Sequence, residues 1–69
     1  MQISARNSLR GTVQSIRRGA VNAEVVIEIS PGLSVTSVIT LASVDRLGLT
    51  EGQPAWAVIK ASDVMLATE

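Results

Sequence analysis

Three short segments of the sequence supply hydrogen-bond donors or positive charge and contain no carboxylate. Ser4–Asn7 offers a hydroxyl, a guanidinium and an amide, Thr40–Ser43 offers two hydroxyls three residues apart, and Lys60–Ser62 places the chain's single lysine beside a hydroxyl. If the three segments converge, they form a pocket of donors around a positive centre. Such a pocket suits a small, fully ionised oxyanion, because contacts are charge-assisted and no acceptor repels the ligand.

Each segment also has a purely structural interpretation. Thr40, just before an apolar run, is typical of a helix N-cap, although the free N–H groups at such a helix start would themselves favour an anion. Arg6 and Lys60 are two of six cations in the chain, and most such side chains are solvated on the surface. On residue chemistry alone, the structural interpretation is the more favoured one.

The composition excludes several classes of function. The 69 residues carry no net charge, no His, no Cys and one aromatic residue, Trp56. Zinc fingers, iron–sulfur clusters, disulfides and thiol or imidazole catalysis are therefore excluded. A nucleic-acid partner is not expected without a basic field or an aromatic stacking platform. Enzymatic activity is not expected either, because Glu24 and Glu28 share one strand face, where solvation or cross-strand pairing accounts for them.

The short, apolar chain favours self-association. Its apolar fraction is 46%, but a chain of this length buries only about 60% of its unfolded surface. Since neither a disulfide nor a metal cation is expected to stabilise the fold, an oligomer is expected. Trp56, between Ala55 and Ala57, is expected in a core or a subunit interface. No segment has the pattern of a signal peptide or a membrane span, so the cytoplasm is the expected compartment and no membrane partner is expected.

The residue pattern of the first half of the chain predicts three strands. Val21–Ile29 alternates apolar and polar residues, Ser30–Gly32 has turn chemistry, and Leu33–Thr40 alternates again, which predicts a hairpin. In the upstream strand, Leu9–Ile16, the residues of the inward face switch from odd to even positions along the strand. This switch predicts a bulge near Gln14–Ser15.

The second half of the chain predicts a short helix and two further strands. These are a helix over Leu41–Leu47 ended by Gly48, a strand over Ala55–Ile59, a short turn capped by Ser62 or Asp63, and a last short strand over Val64–Ala67. The whole order predicts an all-β, OB-like Greek-key barrel of about five strands with one short helix, in a single domain spanning residues 1–69.

The same segments, in this order and spacing, resemble the molbindin family of small molybdate-binding proteins, also called the Mop or TOBE-type domain. The matching residues cover essentially the whole chain and are Ser4–Asn7, Leu9, Gly11, Arg18–Val25, Ile39–Thr40, Ser43, Leu47–Leu49, Gly52 and Ile59–Ala67. The resemblance implies an OB-like barrel that assembles as a homohexamer, a trimer of dimers. It also implies cytoplasmic binding of molybdate or tungstate for storage or homeostasis, without a cofactor.

The resemblance further implies two kinds of oxyanion site between subunits. The first would combine Ser4, Ala5, Arg6, Lys60, Ala61 and Ser62 of one chain with Thr40 and Ser43 of a neighbour. The second, nearer the threefold axis, would use Arg18, Gly19, Ala20, Val21 and Asn22. The alternative is a molybdate-sensing regulatory module that acts through a protein partner, since the same domain type occurs fused to transporter ATPases and transcription regulators. The short chain, which has no linker-like segment, favours the first function.

Overall fold

A curled antiparallel sheet of four strands makes up most of the computed structural model, which describes residues 2–69. The strands and the helix are β1 (Asn7–Arg18), β2 (Asn22–Ser30), β3 (Leu33–Thr40), α1 (Leu41–Leu47) and β4 (Pro54–Ile59), followed by a 3₁₀ turn (Ala61–Asp63). The spatial order is β3-β2-β1-β4, so β3 and β4 are the two edges. The predicted β-rich architecture with one short helix is confirmed.

The long strand β1 bends and is shared between two partners. Its first part, Asn7–Thr12, pairs with β4, and its second part, from Thr12 onward, pairs with β2. The register with β2 shifts between Val13 and Ser15, which confirms the bulge predicted near Gln14–Ser15. Because a bulge adds local twist, the sheet curls and brings its two edge strands around towards each other.

A close backbone approach accompanies this bend. Gly11 lies against β2, and a Cβ at this position would overlap the carbonyl oxygen of Glu28 and lie 2.8 Å from Cγ2 of Ile27. Only a residue without a side chain allows the first half of β1 to pass so near to β2.

The core lies on the concave side of the sheet, under α1. Its five buried side chains are Val13, Ala23, Val25, Ile27 and Val44. The predicted inward face of β2 is thus correct over most of its length. It is wrong at Val21, which is 71% exposed, because β2 begins only at Asn22 and Val21 belongs to the preceding turn.

The helix α1 begins and ends at the predicted residues. Thr40 caps its N-terminus by accepting a hydrogen bond from the N–H of Ser43. Gly48 adopts the left-handed conformation at its C-terminus, with φ of 63°, and its N–H reaches the carbonyls of Asp45 and Val44. No helix in residues 2–69 is long and apolar enough to cross a membrane.

The predicted last strand, Val64–Ala67, is absent. The segment follows the 3₁₀ turn without joining the sheet, and its Met65 and Leu66 side chains are 93% and 92% exposed. A strand needs a neighbour for its backbone hydrogen bonds, and this segment finds none within its own chain. The chain therefore contributes four strands, not five. The 3₁₀ turn is present where a turn was predicted, but no side chain caps it.

Candidate oxyanion-binding site

Two of the three donor segments meet at one end of the sheet. Asn7 pairs with Ile59 in the β1–β4 register, so Arg6 and Lys60 leave the sheet from adjacent positions. Both cations are exposed, as are the hydroxyl-bearing residues near them in sequence, Ser4 and Ser62. Ala5 is half-buried and Ala61, in the 3₁₀ turn, is exposed. This group of six residues is called the cation end below.

The cation end holds positive charge that no carboxylate neutralises. Asp63 follows Ser62 directly, but the one ion pair found in residues 2–69 lies elsewhere, between Arg18 and Asp45. The guanidinium of Arg6 and the ammonium of Lys60 therefore stay free to contact an external anion. Two free cations at the adjacent ends of β1 and β4 are groups of the kind that an oxyanion contacts.

The third donor segment forms the start of α1. Oγ1 of Thr40 accepts from the N–H of Ser43 at 3.1 Å and donates its own proton to Oγ of Ser43 at 2.9 Å. The N-cap interpretation of Thr40 is therefore correct. Because the Ser43 hydroxyl accepts in this pair, its own proton remains free to donate outward. Ser43 is half-buried and is the hydroxyl of this pair best placed to contact a ligand.

One chain does not bring the third segment to the cation end. Thr40 pairs with Asn22, and Ala23 pairs with Arg18, so α1 begins beside the last residue of β1. The cation end lies beside the first residue of β1, Asn7. The twelve residues of β1 represent roughly 35–40 Å along the strand at about 3.3 Å per residue. Each chain therefore carries two separate parts of the predicted first site.

The second predicted set surrounds the β1–β2 turn. The N–H of Gly19 donates to the carbonyl of Asn22 at 2.7 Å, and the N–H of Leu41 donates to the carbonyl of Val21 at 2.9 Å. These bonds fix the turn, including exposed Ala20, against the start of α1. The second set and Thr40–Ser43 thus share one end of the molecule, called the helix end below.

An acidic residue that the sequence analysis did not single out lies at the helix end. Nη2 of Arg18 is 3.0 Å from Oδ1 of Asp45, which is 27 positions away in the sequence. An anion at the second set must compete with this carboxylate for Arg18. No local pattern links the two residues, so only the packing of α1 beside the β1–β2 turn shows the pair.

Trp56 lies on the outer face of β4, directly opposite Arg10 of β1. The guanidinium carbon of Arg10 is 5.4 Å from the centre of the indole ring, within the range of a cation–π contact. The indole is 51% exposed, so within one chain Trp56 is not a core residue. Its predicted place in a subunit interface stays a prediction.

Residues 2–69 contain no group of three or more His, Cys, Asp or Glu side chains that could hold a metal ion.

Two relatives of similar length match almost the whole chain. "Molybdenum-pterin-binding protein 1" of Clostridium pasteurianum is 52% identical over 66 residues, covering 96% of this chain and 97% of the relative. The "Probable molybdenum-pterin-binding protein" of Haemophilus influenzae is 49% identical over the full length of both chains.

Solved structures of molybdate-binding proteins share this fold. A molybdate-binding protein from Sporomusa ovata superposes with a TM-score of 0.91 at 35% identity, covering 99% of this chain and 100% of that one. The cytoplasmic molybdate-binding protein ModG, with molybdate bound, superposes with a TM-score of 0.89 at 51% identity, covering 94% of this chain and 46% of that one. These likenesses confirm the predicted OB-like barrel.

The TOBE domain family model matches residues 3–66, nearly the whole chain, and so includes the cation end, the helix end and all four strands. The relatives of similar length are about half identical to it. The chain belongs to the TOBE domain family, as its sequence motifs predicted.

Proposed function

We propose that this protein is a non-enzymatic binding protein for molybdate, and for the closely similar tungstate, that serves molybdenum storage or homeostasis. The observation that carries the proposal is the pair of unneutralised cations, Arg6 and Lys60, at the adjacent ends of β1 and β4. The chain holding them is 51% identical to the matched part of a structure with molybdate bound. The relatives of similar length are named as binding proteins.

The first site is completed by two subunits. The cation end of one chain supplies Arg6 and Lys60 for charge, Ser4 and Ser62 for hydroxyl donors, and backbone N–H groups at Ala5 and Ala61. The helix end of a neighbour supplies Thr40 and Ser43. The separation of these two ends along β1 supports the division, because one chain alone cannot surround an ion of a few ångströms with both.

The turn between β1 and β2 provides the second site. It uses backbone N–H groups and side chains of Arg18, Gly19, Ala20, Val21 and Asn22. In the single chain Arg18 is paired with Asp45. Binding of an anion there requires the guanidinium to share its donors or to leave the carboxylate, which makes this the weaker site.

Donor-only sites select among oxyanions by protonation and by size. Molybdate carries no proton at neutral pH, whereas phosphate keeps at least one, and that proton lacks an acceptor in such a site. Leaving it unpaired costs about 1–3 kcal/mol, which corresponds to roughly 5- to 150-fold selectivity. Sulfate is also unprotonated, so its rejection depends on its being smaller than molybdate.

The proposed assembly is a homohexamer, a trimer of dimers, in the cytoplasm. Sites shared between subunits link ligand binding to assembly, since an anion that binds only the assembled form stabilises that form. The alternative of a regulatory module acting through a protein partner is not favoured, because the relatives that match over their full length are named as binding proteins.

Isothermal titration calorimetry with molybdate, tungstate, sulfate and phosphate tests the proposal. We expect saturable binding of molybdate and tungstate, at least about fivefold weaker binding of phosphate, and weaker binding of sulfate. Sedimentation of the same samples should give a mass six times that of the chain. Absence of molybdate binding, or equal binding of all four anions, would refute the function.

A further inference from the structure

An ion pair joins the β1–β2 turn to α1 at the helix end. Nη2 of Arg18, at the end of β1, lies 3.0 Å from Oδ1 of Asp45 in α1. The two side chains are 49% and 67% exposed, and the contact is one N–H···O bond instead of the bidentate pair that a guanidinium and a carboxylate can form. Exposed ion pairs of this kind contribute little to stability, so the pair can open at little cost to the fold.

The fold holds both partners in place independently of this pair. Arg18 is the last residue of β1, and α1 is anchored by buried Val44 and by the hydrogen bond from the N–H of Leu41 to the carbonyl of Val21. When the pair opens, the Asp45 carboxylate therefore stays tethered near the guanidinium. Because a tethered group acts at a high effective concentration, Asp45 competes with any dissolved anion for Arg18.

The contact that Asp45 makes is of the kind that an oxyanion would make. A carboxylate oxygen accepts a charge-assisted hydrogen bond from the guanidinium, as an oxygen of molybdate would. The turn residues of the proposed second site, Gly19–Asn22, contain no carboxylate, so the competing group comes from α1, 27 positions away from Arg18. Molybdate is doubly charged, and its attraction to one cation is about twice that of a carboxylate at equal distance. Exchange of the carboxylate for molybdate is therefore favourable once enough molybdate is present.

We propose that Asp45 is an internal competitor that sets the affinity of the second site. In the empty protein its carboxylate occupies Arg18, and molybdate binds at the turn by displacing it. The inference rests on the proposed second site and adds the residue that controls when that site fills. No ion pair among residues 2–69 holds Arg6 or Lys60, so molybdate fills the first site at lower concentration and the second site only after it.

Equilibrium dialysis of molybdate measures the competition. Arg6→Ala combined with Lys60→Ala removes the charge of the first site, so that the remaining binding reports the second. Asp45→Asn, added to this background, keeps the shape of the side chain and removes its charge. We expect the second site to bind molybdate about two- to fivefold more tightly, because an exposed ion pair no longer has to be broken.

Glu28→Gln in the same background is the matched control. It makes the same change of charge, but Glu28 pairs with Thr12, six residues before Arg18 on β1, which is roughly 20 Å along the strand. Screening acts over about 8 Å at physiological ionic strength, so this variant should bind molybdate like its background. An equal gain in both variants would mean that net charge alone sets the affinity, and it would overturn the inference.

Carbon NMR of the native sequence detects the displacement itself. The chain has two aspartates, Asp45 and Asp63, so isotopic labelling of aspartate gives two side-chain carboxylate signals, of which Asp45→Asn removes one. Arg18→Ala without ligand supplies the chemical shift of the unpaired Asp45 carboxylate. We expect molybdate to move the Asp45 signal towards that chemical shift as the second site fills.

Two further results would overturn the inference while leaving molybdate binding to the native chain intact. One is a molybdate affinity that Asp45→Asn does not raise above its background, including no binding in either. The other is an Asp45 signal that does not move when the native chain is saturated with molybdate. A failure of the proposed function is distinguishable from both, because the native chain would then bind no molybdate in dialysis, and the inference would fall with it.

Discussion

At the scale of single residues, the two cations of the cation end differ from Arg10 and Arg18. Arg18 is paired with Asp45, and Arg10 is stacked on Trp56, whereas Arg6 and Lys60 leave adjacent strand ends with no carboxylate partner among residues 2–69. A free cation beside hydroxyl donors has no ion pair to break when it contacts an anion. Its removal should therefore affect binding far more than folding.

We expect Arg6→Ala and Lys60→Ala each to weaken molybdate binding by roughly 10- to 150-fold, because a hydrogen bond to a charged group contributes about 1.5–3 kcal/mol. Titration calorimetry measures the change, and circular dichroism should show an unaltered fold. Arg10→Ala is the matched control: it removes the same charge from the outer face of β1 and should bind molybdate like the native chain. A similar loss in all three variants would indicate a general charge effect instead of a site.

Ser43→Ala separates the structural role of the helix start from its binding role. The cap is made by Oγ1 of Thr40 to the backbone N–H of Ser43, which the substitution leaves in place. We expect molybdate affinity to fall while the free energy of unfolding changes by less than about 0.5 kcal/mol. Thr40→Ala, in contrast, should cost about 1 kcal/mol because the cap is lost. Urea unfolding and calorimetry on both variants distinguish the two roles, and unchanged affinity in Ser43→Ala would remove that hydroxyl from the site.

At the scale of elements, the bend in β1 decides which residues meet. The bulge after Val13 lets one strand pair with β4 near its start and with β2 near its end. The first half of β1 can approach β2 only because Gly11 has no side chain. The spatial separation of the cation end from the helix end follows directly from this strand.

Gly11→Ala should destabilise the fold by about 1–3 kcal/mol, because the added Cβ would overlap the Glu28 carbonyl, which is backbone and cannot rotate away. The change should appear as a lower urea midpoint. Ser8→Ala, at an exposed position of the same strand, is the control and should stay within about 0.5 kcal/mol. Equal midpoints for the two variants would mean that β1 and β2 shift apart without cost.

Sequence patterns predicted the elements better than their mutual placement. Alternation identified Ala23, Val25 and Ile27 as inward-facing, and a parity change located the bulge, because both signals are local. The Arg18–Asp45 pair joins residues 27 positions apart, and no local pattern marks such a contact. Val64–Ala67 has strand-like residues but no strand partner in its own chain, and the residue pattern alone does not show whether a partner is available.

The chemistry of the donor segments could likewise be predicted from the sequence, but their arrangement in space could not. Their chemistry is visible in the residues themselves, whereas the adjacency of Arg6 and Lys60 depends on the β1–β4 register that pairs Asn7 with Ile59. The distance from Lys60 to Thr40 depends on the strand order of the whole sheet. The sequence therefore predicts the components of an oxyanion site, and the fold separates them within one chain, which is why the proposed site combines two chains.

At the scale of the whole molecule, ligand binding and assembly should be one equilibrium. In the proposed assembly, the cation end and the helix end of each chain face different neighbours, so only the assembled form brings unlike ends together. Molybdate at 100 times its Kd should stabilise the assembly by about 2.7 kcal/mol per site. Dilution monitored by light scattering should show dissociation at lower protein concentration when molybdate is present. Sulfate at the same ionic strength is the control, and an identical dissociation curve with both anions would place the site within one chain.

Trp56, on which Arg10 is stacked, is an intrinsic fluorescent probe of this protein. With no Tyr and no Phe, every near-ultraviolet emission signal comes from one half-exposed indole on the outer face of β4. The indole lies away from the buried core and away from both donor ends, so its emission reports neither core packing nor direct contact with an anion. A shift to shorter wavelength on assembly would mean that a neighbouring subunit covers this face, and a constant spectrum would mean that the face stays open to water.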